Sequence, residues 1–81
     1  MSDIEFGTTV KERRKEKGWT QEQLASKANL STRYVQSIEA QEKQPSLDTV
    51  FRIAAAFDVR PGALLDSLWT IWKNDIHPTI K

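Results

Sequence analysis

The sequence contains no cysteine, one histidine, three glycines and three prolines among 81 residues. Without cysteine there is neither a disulfide framework nor a thiolate metal site, and His77 alone makes no multi-histidine centre. No phosphate-binding glycine loop and no nucleophile–base pair stands out, so the reading is of a non-enzyme that needs no metal or cofactor. No apolar run approaches the roughly 20 residues of a bilayer span, and no signal peptide is visible. The expectation is therefore a cytoplasmic protein with no membrane partner. Charge of one sign is also scarce. Twelve Lys and Arg face eleven Asp and Glu, for a formal net charge of +1. Nucleic-acid-binding domains are often far more basic, so composition announces no partner.

What remains is one small domain with a modest core. Residues 11–17, KERRKEK, carry five positive and two negative charges. Residues 31–45 balance Arg33 and Lys43 against Glu39 and Glu42. Strand signals are missing, and no run alternates with period two. Helix punctuation is dense instead. Ser2 and Glu5 have the spacing of a capping box, which predicts a first helix from Ser2 or Asp3 to about Gly18. Phe6 and Val10 mark its inner face. At about 100° per residue Arg13 and Lys17 fall on that face too, with Arg14 at its flank.

Thr20 and Gln23 predict a capped second helix, with Leu24, Ala25 and Ala28 inward and Asn29 as a left-handed stop. Ser31 caps a third helix over about Thr32–Ala40, with Val35 and Ile38 inward. Residues 41–45 form a loop. Ser46 caps a fourth helix with an apolar stripe of Leu47, Val50, Ile53, Ala54 and Phe57. Pro61 suits the first turn of a fifth, which Leu64, Leu65, Leu68, Ile71 and Trp72 continue with Trp69 alongside. Pro78 ends any remaining helix. The fold class is all-α, a compact bundle of five short helices.

The informative stretch is TQEQLASKANLSTRYVQSIE, Thr20 to Glu39. Two short capped helices about three residues apart are helix-turn-helix geometry. Ala25 leaves room for the two helices to cross closely. The outer arc of the third helix holds Arg33, Gln36 and Ser37, with Thr32 beside them. Arg can read guanine and Gln adenine in the major groove, while Ser and Thr contact bases or phosphates. These four are the expected base contacts; the bland alternative is a solvated polar face. Glu39 lies on the inner arc, and a buried carboxylate needs a partner. Periodicity nominates Arg13 nearly as well as Arg14.

Arg14, Gly18, Thr20-Gln21, Leu24-Ala25, Val35, Ile38-Glu39, Pro45-Ser46-Leu47 and Ile53-Ala54 occur in an order and spacing that resembles the lambda-repressor/Cro/XRE class of helix-turn-helix DNA-binding domains. The likeness covers roughly residues 6–65. Lys27-Ala28-Asn29-Leu30, Tyr34-Val35 and Ile38-Glu39 are similar to the controller proteins of restriction–modification systems. The resemblance implies a lambda-repressor-like fold and a sequence-specific regulator of double-stranded DNA. It also implies phosphate contacts from Gln21, Ser31, Tyr34, Lys43 and Gln44, and a structural ion pair between Arg14 and Glu39. Three positions depart from the pattern. Asn29 replaces the usual turn glycine, Gln41 stands where the loop usually has glycine, and Glu42 brings a negative charge that should weaken backbone binding.

Residues 1–65 are read as the DNA-binding domain and 66–81 as a helical extension. Leu65, Leu68, Trp69, Ile71 and Trp72 are too many apolar side chains for one face of a terminal helix. They either wrap back on the core or form a two-fold homodimer interface, which would pair two recognition helices on a palindromic operator. Trp19, Trp69 and Trp72 are read as core or interface rather than as a single-strand stacking platform. Nothing leaves room for a small-molecule sensor. The rival function is a protein-interaction module, such as an antitoxin whose terminal segment covers its partner.

Overall fold

A computed structural model describes residues 6–76, apart from the side chains at 67, 71, 75 and 76. The chain forms α1 (Phe6–Glu16), α2 (Gln21–Ala28), α3 (Thr32–Glu39), α4 (Leu47–Ala56) and α5 (Pro61–Ile71), followed by a wider π turn over Trp72–Ile76. Among the described residues there is no strand, and no helix is long and apolar enough to cross a membrane. The capping pair Ser2 and Glu5, the single histidine His77 and the breaker Pro78 lie outside the described residues.

The starts of the helices follow side-chain chemistry. Thr20 Oγ1 accepts from the Gln23 amide at 3.0 Å while Gln23 Oε1 accepts from the Thr20 amide at 2.7 Å, a reciprocal capping box. Ser31 and Ser46 accept from the amides of Tyr34 and Thr49 and so open α3 and α4. Pro61 occupies the first turn of α5, where its missing N–H costs nothing.

The ends of α1 to α4 share one closure. Gly18, Asn29, Gln41 and Asp58 have φ of 73°, 57°, 64° and 58°. After each, the next amide reaches back to the carbonyl five residues earlier: Trp19 to Arg14, Leu30 to Ala25, Glu42 to Ser37, and Val59 to Ala54. This is the Schellman arrangement, which satisfies carbonyls the helix leaves open. Asn and Asp tolerate the left-handed region through local hydrogen bonds; glutamine lacks that help. Gln41 is held from elsewhere, because its Oε1 accepts from the Gly7 amide at 2.9 Å. Gly7 must itself be glycine-like here, since a Cβ would collide with the Ile38 carbonyl oxygen. The first turn of α1 thus packs directly on the end of α3.

Phe6, Val10, Leu24, Val35, Ile38, Ile53 and Leu64 fill the centre of the core. α2 packs on α3 and α4, α1 on α3, and α4 on α5. Ala25 and Ala28 are nearly inaccessible, which permits the close crossing of α2 and α3.

Two expectations need correction. Arg13 and Lys17 do not complete the inner face of α1. The helix stops at Glu16, Lys17 is exposed and Arg13 half-buried, whereas Arg14 is buried. Its guanidinium turns inward because a carboxylate and a carbonyl meet it there. Leu47 does not join the α4 stripe. It occupies the first helical position, projects beyond the end of the core and is 65% exposed.

Candidate nucleic-acid interface

α3 is split into two arcs by its own sequence. Val35 and Ile38 are almost completely buried, and Glu39 lies beside them. The opposite arc holds exposed Arg33 and Gln36 and half-buried Ser37, with Thr32 half-buried at the N-terminal end. Arg33, Gln36 and Ser37 line one shallow concavity together with Ala40 and Glu42. The sequence pattern did not single out Ala40, and it marked Glu42 only as a loop charge that should weaken backbone binding. Ala40 reaches it as the C-cap of α3, and the closure at Gln41 brings Glu42 there, folding the chain back so that the Glu42 amide bonds the Ser37 carbonyl at 2.9 Å.

The inner arc is fastened by charge. Arg14 Nε donates to Glu39 Oε2 at 2.8 Å, and Arg14 Nη2 to Oε1 at 3.0 Å. Arg14 Nη1 donates to the Trp19 carbonyl at 2.8 Å. Gln21 Nε2 adds a third bond to Glu39, at 3.1 Å to Oε1. One network therefore joins α1, the turn after it, the start of α2 and the end of α3. The hydrogen bonds from Arg14 to Glu39 raise the guanidinium pKa, burial opposes them, and the Glu39 charge raises it further. Among the described residues no buried side-chain polar atom lacks a partner.

The residues expected at phosphates occupy varied settings. Gln21 is half-buried and spends one amide hydrogen on Glu39, which leaves its oxygen and second hydrogen. The Ser31 oxygen caps α3 and retains its own hydroxyl proton. Tyr34 is half-buried, with its hydroxyl 3.3 Å from Thr49 Oγ1, which in turn lies 3.0 Å from Ser46 Oγ. That chain ties α3 to the first turn of α4, a role that no spacing in the sequence revealed. Lys43 is exposed in the loop. Gln44 lines a different depression, shared with Phe6, Val50 and Trp69.

That second depression is an apolar groove of ≈ 330 Å³ between α5 and the loop before α4. Leu68 forms part of its floor yet is only 6% exposed, so it belongs mainly to the subunit's own core. Leu65 and Trp72 are half-buried, and Trp69 is 54% exposed. Trp69 and Trp72 stack with centroids 5.6 Å apart. The Ile71 side chain lies outside the described residues. Trp19 packs elsewhere, parallel to Phe57 at 5.4 Å, with Lys27 Nζ 4.9 Å above its ring.

These features have counterparts in known proteins. A model of the helix-turn-helix family matches residues 10–64. The immunity repressor protein of Bacillus phage phi105 is 42% identical over 59 residues, covering 73% of this chain and 41% of that protein. The HTH-type transcriptional regulator SinR of Bacillus subtilis is 38% identical over 62 residues, covering 75% of this chain and 56% of SinR. The chain thus spans about half the length of the curated relatives it matches. Among solved structures, the restriction–modification controller protein C.AhdI of Aeromonas hydrophila superposes with a TM-score of 0.72 at 34% identity, covering 75% of this chain and 92% of the other. With its two capped helices, the left-handed turn between them and a match over more than half its length, the chain belongs to the helix-turn-helix family of the lambda-repressor/Cro/XRE type.

Proposed function

We propose that this protein is a sequence-specific regulator of transcription that binds double-stranded DNA as a homodimer. The observation that carries the reading is the outward arc of α3. Arg33 and Gln36 are exposed above a helix whose other arc is locked into the core. A rigid helix with free hydrogen-bonding side chains on its outer face suits the major groove, which an α-helix can enter. Thr32, Arg33, Gln36 and Ser37 read base edges in this account. Gln21, Ser31, Lys43 and the outer edge of Tyr34 set register on phosphates; Gln44 contributes to that set from the margin of the loop.

The dimer is supported by the apolar groove and by Trp69 at its rim. Exposed apolar patches mark interaction surfaces on soluble proteins. Residues 66–81 act as the dimerisation extension in this reading; its first part, residues 66–71, belongs to α5, and the π turn over Trp72–Ile76 follows directly. Two-fold pairing would set the recognition helices about 34 Å apart, one turn of duplex, on a palindromic site. Regulation then follows from occupancy of that site.

Selection of bound fragments from random duplex DNA tests the whole reading. A two-fold symmetric motif with half-sites one helical turn apart is the expected result. Selection of no motif, or of a single asymmetric half-site, contradicts it.

A further inference from the structure

We infer that Glu42 is a specificity-determining residue that accepts a hydrogen bond from a cytosine amino group in the major groove. The inference rests on the DNA-binding reading and adds a base to the half-site. As a negative charge in the loop, Glu42 reads from sequence alone as a simple deterrent to phosphate. The structure gives it a definite position. Gln41, at φ 64°, turns the chain back, and the Glu42 amide is fixed on the Ser37 carbonyl. The residue then lines the same concavity as Arg33, Gln36 and Ser37.

Among the described residues neither Arg33 nor Glu42 joins an ion pair, although opposite charges share this concavity. A cation and an anion side by side match the major-groove edge of a G·C pair. Guanine presents the acceptors N7 and O6, and cytosine the N4 amino donor. Arg33 takes the guanine edge, and Glu42 takes the N4 hydrogen of cytosine in the same or the adjoining pair. The negative charge also disfavours a thymine O4 at that position and weakens binding to duplex lacking the cytosine. In this account Glu42 trades overall affinity for discrimination.

The test is selection from random duplex by the wild-type chain, Glu42→Ala, Glu42→Gln and Arg33→Ala in parallel. Helix content and melting of each variant are monitored, since both side chains are exposed. Glu42→Ala should lose a cytosine preference at one position per half-site, with discrimination there falling roughly tenfold or more. All other positions should persist. Glu42→Gln should shift the preference at that position towards adenine, which glutamine reads through N6 and N7. A Glu42→Ala chain that binds every duplex more tightly with an unchanged motif overturns the inference, and Glu42 is then only a repulsive charge. The DNA-binding reading itself fails separately, through a wild-type chain that selects nothing, and the inference falls with it; an Arg33→Ala chain whose motif is unaltered removes only the Arg33 contact with guanine.

Discussion

Arg14 and Glu39, separated by 25 positions, meet as a two-pronged ion pair with the carboxylate side chain only 3% exposed. Glu39 stands in the last turn of α3, and Arg14 reaches from α1 past the turn carbonyl of Trp19. The pair fixes the rotation of α3 about its own axis. That rotation determines whether Arg33 and Gln36 face out.

Removing the carboxylate strands a buried guanidinium. Glu39→Ala is expected to lower stability by about 3–5 kcal/mol, measured by urea denaturation. The guanidinium pKa is raised on folding, so its contribution to stability is complete below the unfolded value and fades only as pH climbs through the folded one. Both values lie far into the alkaline range. The Arg14 charge therefore confers the same stability throughout neutral pH. A Glu39→Ala chain that melts with the wild type would remove the pair from this account.

Gln41 combines a strained backbone with a useful side chain. Gln41→Gly removes the left-handed penalty but also the bond to the Gly7 amide. Gln41→Ala keeps the penalty and loses the bond. The alanine variant should be the less stable of the two by about 1 kcal/mol. Equal melting of the two variants would mean that position 41 carries no strain.

Much of this architecture is legible in the chain. Thr20, Ser31 and Ser46 announce helix starts through side-chain oxygens that seek amides, and Asn29 announces a left-handed stop. These are local signals, resolved within three or four residues. The contacts that complete the site are long-range. No spacing links Gly7 to Gln41, or Tyr34 to Thr49, because the partners belong to different elements, Gly7 to α1, Gln41 to the turn after α3, Tyr34 to α3 and Thr49 to α4, and meet only after packing. Helical periodicity alone could not choose between Arg13 and Arg14, since 100° per residue puts the two at nearly equal angles from the inner face. The network around Glu39 decides the matter. Glu42 was legible as a charge but not as a neighbour of Arg33, because its position depends on the closure at Gln41.

Base and phosphate contacts differ in what their loss does. Arg33→Ala should relax preference at one base pair per half-site, costing about 1–3 kcal/mol on the best site. Lys43→Ala should weaken binding evenly across sequences and reduce the slope of log affinity against log salt by about one. Titrations at several salt concentrations separate the two. Identical behaviour of the variants would argue against the division between reading and positioning.

Trp69 and Leu68 are neighbours with opposite expected effects. Trp69→Ser should leave the fold intact and shift sedimentation at roughly tens of micromolar from dimer towards monomer, since the side chain is 54% exposed at the groove. Leu68→Ala should instead destabilise the subunit by about 2–5 kcal/mol, because that side chain is buried. A wild-type chain that sediments as a monomer without DNA would contradict the two-fold arrangement.

The central claim is that the exposed arc of α3 lies in the major groove, and chemical interference at guanine N7 addresses it directly. This atom is displayed only there. Methylation of a single guanine in each selected half-site should block binding of the wild-type chain, and Arg33→Ala should be insensitive to methylation of that same guanine. Wild-type binding that tolerates N7 methylation at every guanine of the site would place α3 outside the major groove.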